Sequence, residues 1–140
     1  MTRFKNQLGG TVIVCSQGVD GNASSSFFNY RRKRLLLKLL LMEDRSNVLV
    51  HETAKVFTIM NEADDPNAPF AGMLTLINLA PDPWENAELY LPEKWRNCSR
   101  FTLLDANGDW VDCPCRRTAD GIGLEFPLNY GDPVYISAEK

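Results

Sequence analysis

The residues with the widest chemical reach in this chain are few. They are three downstream cysteines (Cys98, Cys113, Cys115), a single histidine (His51), three tryptophans (Trp84, Trp95, Trp110) and the run Asp105-Ala106-Asn107-Gly108-Asp109. Three thiolates could approach a zinc ion, but structural zinc normally takes four ligands from paired Cys or His units. His51 lies far off in sequence and nothing marks it as the fourth, so no metal centre is expected. Cys113 and Cys115 stand two apart on one expected strand, a poor geometry for bridging each other. The Asp-x-Asn-x-Asp start resembles a calcium loop, which also needs glycine at its sixth position and a bidentate acid at its twelfth. Those positions hold Trp110 and Arg116, and the match fails.

No G-x-S-x-G elbow, P-loop or Rossmann fingerprint is present. No catalytic residue is therefore assigned and no cofactor is expected. Fifteen acids in a small sandwich always offer carboxylate pairs, which decides nothing about glycoside cleavage. The tryptophans offer a different chemistry, because an exposed indole can stack on the C–H face of a sugar ring. Trp84 sits in a Pro-Asp-Pro-Trp loop and Trp95 in a polar Glu-Lys-Trp-Arg stretch, so these two are the candidate carbohydrate platforms. Trp110 follows a turn and is expected to pack against the opposite strand. Core or edge packing is the competing expectation for all three.

The elements that must position these groups read mainly as strands. Asn107-Gly108 between alternating apolar residues signals a hairpin, expected as a type I′ turn with both residues at positive φ. Strand candidates follow one another at 48–51, 55–62, 72–80, 87–91, 101–106, 109–113, 123–127 and 133–137, separated by Pro, Gly, Asn and Asp clusters. The run 73–79 is the most apolar and is expected to be central. Upstream, Thr11-Val12-Ile13-Val14-Cys15 reads as a buried strand, and a Gly/Ser/Asn loop follows it.

A helix is expected over about 27–42, capped by Ser24, Ser25 or Ser26. Its first half carries Arg31, Arg32, Lys33 and Arg34, and its second half is leucine on nearly every side. A helix apolar all round needs cover all round. Tyr30, Leu37 and Leu41 are therefore the candidate interface residues.

At 140 residues and 44% hydrophobic content the chain can build one ordinary core. Residues 1–47 hold eight Lys/Arg against three Asp/Glu, a balance of +5, whereas 48–140 hold seven against fifteen, a balance of −8. An acidic body argues against nucleic acid as a partner. The run 35–42 is eight residues long with Lys38 inside it, too short for a bilayer, so no membrane partner is expected. Residues 1–10 are polar and lack the apolar core of a signal peptide. With few cysteines for a disulfide scaffold, free thiols and a cytoplasmic location are expected.

Several stretches resemble a known family. Asn6-Gln7-Leu8-Gly9-Gly10-Thr11-Val12, then Tyr30-Arg31-Arg32 leading a leucine-rich helix, is similar to the end of a glutamine-amidotransferase-like non-catalytic domain in bacterial β-galactosidase-like glycoside hydrolases. Leu76-Ile77-Asn78-Leu79-Ala80-Pro81-Asp82-Pro83, Asp105 to Trp110 and Pro133-Val134-Tyr135-Ile136 resemble the β-sandwich that closes such enzymes. Thr11 stands where arginine would be common. The resemblance implies a catalytic barrel upstream and carries no catalytic residue onto this chain.

The resulting expectation is an antiparallel, immunoglobulin-like β-sandwich over 48–140, preceded by a strand and one α-helix in 1–47. It would be a non-catalytic accessory module of a carbohydrate-active enzyme, packing against the catalytic part or a second subunit. A carbohydrate-binding module using Trp84 or Trp95 on an oligosaccharide is the alternative.

Overall fold

A computed structural model describes residues 2–14, 35, 38–39, 48–50 and 55–140. The chain divides into two compact units, 1–43 and 44–140.

In the first unit β1 (Thr2–Lys5) pairs antiparallel with β2 (Thr11–Val14). Asn6 builds the turn: its side-chain Oδ1 accepts the amides of Leu8 and Gly10, while Gly9 takes φ +84°. Of the strand expected at 11–15, residues 11–14 form β2 and Cys15 lies outside the described residues; Val12 and Val14 are exposed. Pairing along one edge supplies hydrogen bonds without covering a face, so the expected burial is not observed. Leu35, Lys38 and Leu39 have helical backbone, as the leucine-rich run predicts. Tyr30, Leu37 and Leu41 lie outside the described residues.

The second unit is mainly β and antiparallel. A four-stranded sheet runs in the order β3 (Leu49–Val50), β6 (Glu88–Tyr90), β10 (Gly121–Leu124), β9 (Cys115–Arg117). A five-stranded sheet runs β4 (Val56–Glu62), β5 (Phe70–Asn78), β11 (Pro133–Glu139), β7 (Arg100–Leu104), β8 (Trp110–Asp112). Leu74 and Leu76 of β5, Phe101 of β7 and Ile136 and Ala138 of β11 join Leu89 of β6 and Ile122 and Leu124 of β10 in one core. Two sheets sharing one core make a sandwich, held by apolar area withdrawn from water at about 25 cal/mol per Å². The run 73–79 is interior as expected, although the middle position belongs to β11.

Side chains alternate faces along a strand, and the register shows which residues that leaves outside. On β5, Leu74, Leu76 and Asn78 point inward, so Met73, Thr75 and Ile77 point away from the core. Gly72 lies where Trp95 of the short helix α1 (Glu93–Arg96) crosses β5. A Cβ there would stand 2.6 Å from the Trp95 ring and 2.3 Å from the Asn61 carbonyl.

The hairpin between β7 and β8 differs from the expected type I′ turn. Only Gly108 has positive φ, at +89°, and Asn107 does not. The Gly108 amide donates to the Asp105 carbonyl, and Asp105 Oδ1 accepts the amides of Asn107 and Asp109. This is a three-residue loop with its glycine in the left-handed region. The carboxylate at Asp105 gathers the amides that a two-residue turn would have placed elsewhere.

Candidate functional site

The outward face of the five-stranded sheet is the most distinctive surface of the described residues. Phe57, Ile77 and Pro133 stand opposite one another across β4, β5 and β11. The next rung is Ile59, Thr75 and Tyr135, and the next is Asn61, Met73, Ser137, Thr102 and Asp112. Trp110 lies across from Leu104 at the β8 edge. Phe57 is 53% exposed, Ile59 42% and Trp110 46%, whereas Thr75 between its neighbours is covered to 6%. An antiparallel sheet normally turns a polar face to water, so an outer face of Phe, Ile, Met, Tyr and Trp departs from the pattern.

The two ends of this face differ. Around Phe57, Ile59 and Ile77 it is apolar. Toward the start of β5 it dips into an open groove of about 570 Å³, lined by Pro69, Phe70, Met73, Thr102, Trp110, Ser137 and Glu139. Glu139 is held in place, because Thr102 Oγ1 donates to its Oε1 at 3.2 Å and Arg100 Nη1 lies 3.9 Å from its Oε2. Arg100 also pairs with Asp112 through Nε, and that bond holds its guanidinium more firmly protonated than usual.

The tryptophans are not where the sugar-platform expectation needs them. Trp95 is 1% exposed, enclosed between α1 and the core, and its ring has no face to offer. Its polar sequence neighbours misled, since one turn of helix directs Glu93 and Lys94 to solvent while burying the indole. Trp84 is half-buried against the core and is tied to Leu128 by amide–carbonyl bonds in both directions. It is part of the loop framework. Trp110, expected to pack against the opposite strand, is the exposed one.

Sequence reasoning assigned no role to Asn78, yet it anchors the loops at one end of the sandwich. Fully buried, it donates from Nδ2 to the carbonyls of Asp82 and Leu128 and accepts the Ala80 amide on Oδ1. Its sequence signal is a polar residue at the inward end of an apolar strand, just before Pro81-Asp82-Pro83.

The cysteines also differ from expectation. Cys113 falls just beyond β8 and Cys115 opens β9, so Pro114 spans the crossing from one sheet to the other. The two thiols hydrogen-bond each other rather than lying on one strand. Cys113 donates, which together with burial pushes its own thiol well up and brings Cys115 down to about 7, with Arg117 helping. Burial raises the Cys98 thiol against the opposing charges of Arg117 and Lys140. All three are free thiols. Among the described residues no group of three or more His, Cys, Asp or Glu is placed to hold a metal ion. His51 lies outside the described residues, and no described helix is long and apolar enough to cross a membrane.

Comparison with known proteins adds no relative: no family model matches the chain, and neither a curated protein nor a solved structure does.

Proposed function

We propose that this chain is a non-catalytic accessory module of a carbohydrate-active enzyme, whose work is adhesion to the catalytic part or to a second subunit. The observation carrying this reading is the apolar outer face of the five-stranded sheet at Phe57, Ile59 and Ile77. Exposed apolar area of that kind on a sheet is a docking feature. The carbohydrate context comes from the resemblance to the sandwich closing β-galactosidase-like glycoside hydrolases, in which bond cleavage belongs to an upstream barrel.

The test is co-purification. A glycoside-hydrolase barrel encoded in the same reading frame or beside it is expected to be retained by the tagged chain. The double variant Phe57→Glu/Ile59→Glu should lose it while keeping an unchanged circular dichroism spectrum. Retention by that variant, or the absence of any such barrel together with a monomeric wild-type chain in ultracentrifugation, would refute the reading.

A further inference from the structure

We propose that the groove at the other end of the same sheet face, between Phe70 and Trp110, binds a short neutral oligosaccharide. In the sheet order β5, β11, β7, β8 these two aromatics belong to the outermost strands of the four, with β11 and β7 as the floor between them. Trp110 lies four residues further along the strands than Phe70, and with three strand spacings between them their backbones stand roughly 20 Å apart on the diagonal. Both aromatics are about half exposed, at 45% for Phe70 and 46% for Trp110. The lining is mainly apolar, with a few polar groups set into it: Ser137 and Thr102 stand directly opposite each other and Glu139 closes the end.

The volume of about 570 Å³ falls within the range of small-ligand sites, which combine apolar walls with a few placed polar groups. The lining chemistry selects among ligands of that size. A flat aromatic suits the apolar face of a pyranose, and hydroxyl and carboxylate groups beside it suit the ring's edge hydroxyls. An aliphatic ligand would cover Ser137 and Glu139 without satisfying them, which is costly. An acidic ligand would meet the Glu139 carboxylate, already oriented by Thr102 and Arg100. A neutral polyol can instead donate to it. The groove is separate from the Phe57 end, so its failure as a sugar site would leave the docking reading standing.

The experiment is calorimetric titration of the full chain with cellohexaose, xylohexaose, mannohexaose and β-1,4-galactotetraose, with trigalacturonic acid as the acidic probe. At least one neutral oligomer should bind saturably and shift the emission of the exposed indole. Trp110→Ala should weaken that binding at least ~10-fold and Glu139→Ala several-fold, while Tyr130→Ala, an exposed loop change, leaves it as in the wild type. Three results would each overturn the proposal. They are no saturable binding of any neutral oligomer up to ~10 mM, full binding by a folded Trp110→Ala variant, or equally tight binding of the acidic probe.

Discussion

Asn78 satisfies three backbone groups with one side chain, and the loops holding Trp84 and Leu128 depend on it. Asn78→Ala removes those partners in a dry environment, where each group left unpaired costs roughly 1–3 kcal/mol. A loss of about 2–4 kcal/mol in urea unfolding is expected, with Trp84 becoming more exposed to a quencher. The thiol pair gives a second residue-scale outcome. Because the Cys113 S–H stabilises the Cys115 thiolate, Cys115 should be alkylated first, at a rate that rises through a midpoint near pH 7. Cys98 and Cys113 should stay slow across the same range, Cys98 held protonated by burial and Cys113 by its bond to Cys115 together with burial. Peptide mapping after iodoacetamide at several pH values reads this directly. Cys113→Ala withdraws the donor and should move the midpoint upward.

Two hairpins in separate units share one construction. Asn6 and Asp105 each accept two loop amides on Oδ1, and Gly9 and Gly108 each supply the left-handed residue three positions later. They differ in that only the aspartate titrates. Amide bonds from Asp109 and Asn107 hold the Asp105 carboxyl below its ordinary value. Its contribution is therefore present above the unfolded pKa of about 4 and fades as pH falls through the lower folded value. Amide exchange at Asp109 should accelerate in acid beyond the intrinsic rate. Asp105→Asn keeps the acceptor, as Asn6 does, and should abolish that acid response.

The strand pair around this turn was legible because Phe101, Leu103, Trp110 and Val111 alternate on either side of an Asn-Gly signal. β9 was not, since Cys-Arg-Arg has no alternation and its role is set by the sheet it crosses to. β1 was missed for a similar reason: all four of its residues are exposed, so hydrophobic periodicity had nothing to report. α1 is a single turn, shorter than any periodic window resolves. The outer face was hidden because Phe57, Ile59, Met73 and Ile77 look like core residues until the register shows which side of the sheet they occupy.

At the scale of the whole sandwich, the docking variants serve as their own control. Phe57 and Ile59 project outward from an edge strand and Thr58 and Met60 from the other side of it. Phe57→Glu/Ile59→Glu should thus change unfolding free energy by no more than roughly 1 kcal/mol, in the range of surface substitutions away from special features. A loss comparable to a core truncation, about 2–5 kcal/mol, would place those side chains inside the fold. Denaturant midpoints of the single and double variants separate the two cases.

The position of β11 has a further consequence. The last strand of the described chain lies in the middle of the larger sheet, hydrogen-bonded to β5 on one side and β7 on the other. During synthesis, everything through residue 132 leaves the ribosome before those two neighbours can be joined. The nascent polypeptide then carries two unzipped ladders and the uncovered leucines of β5. Closure of the larger sheet therefore waits for β11 itself to emerge, and the interval before that is the one in which chaperone protection counts most.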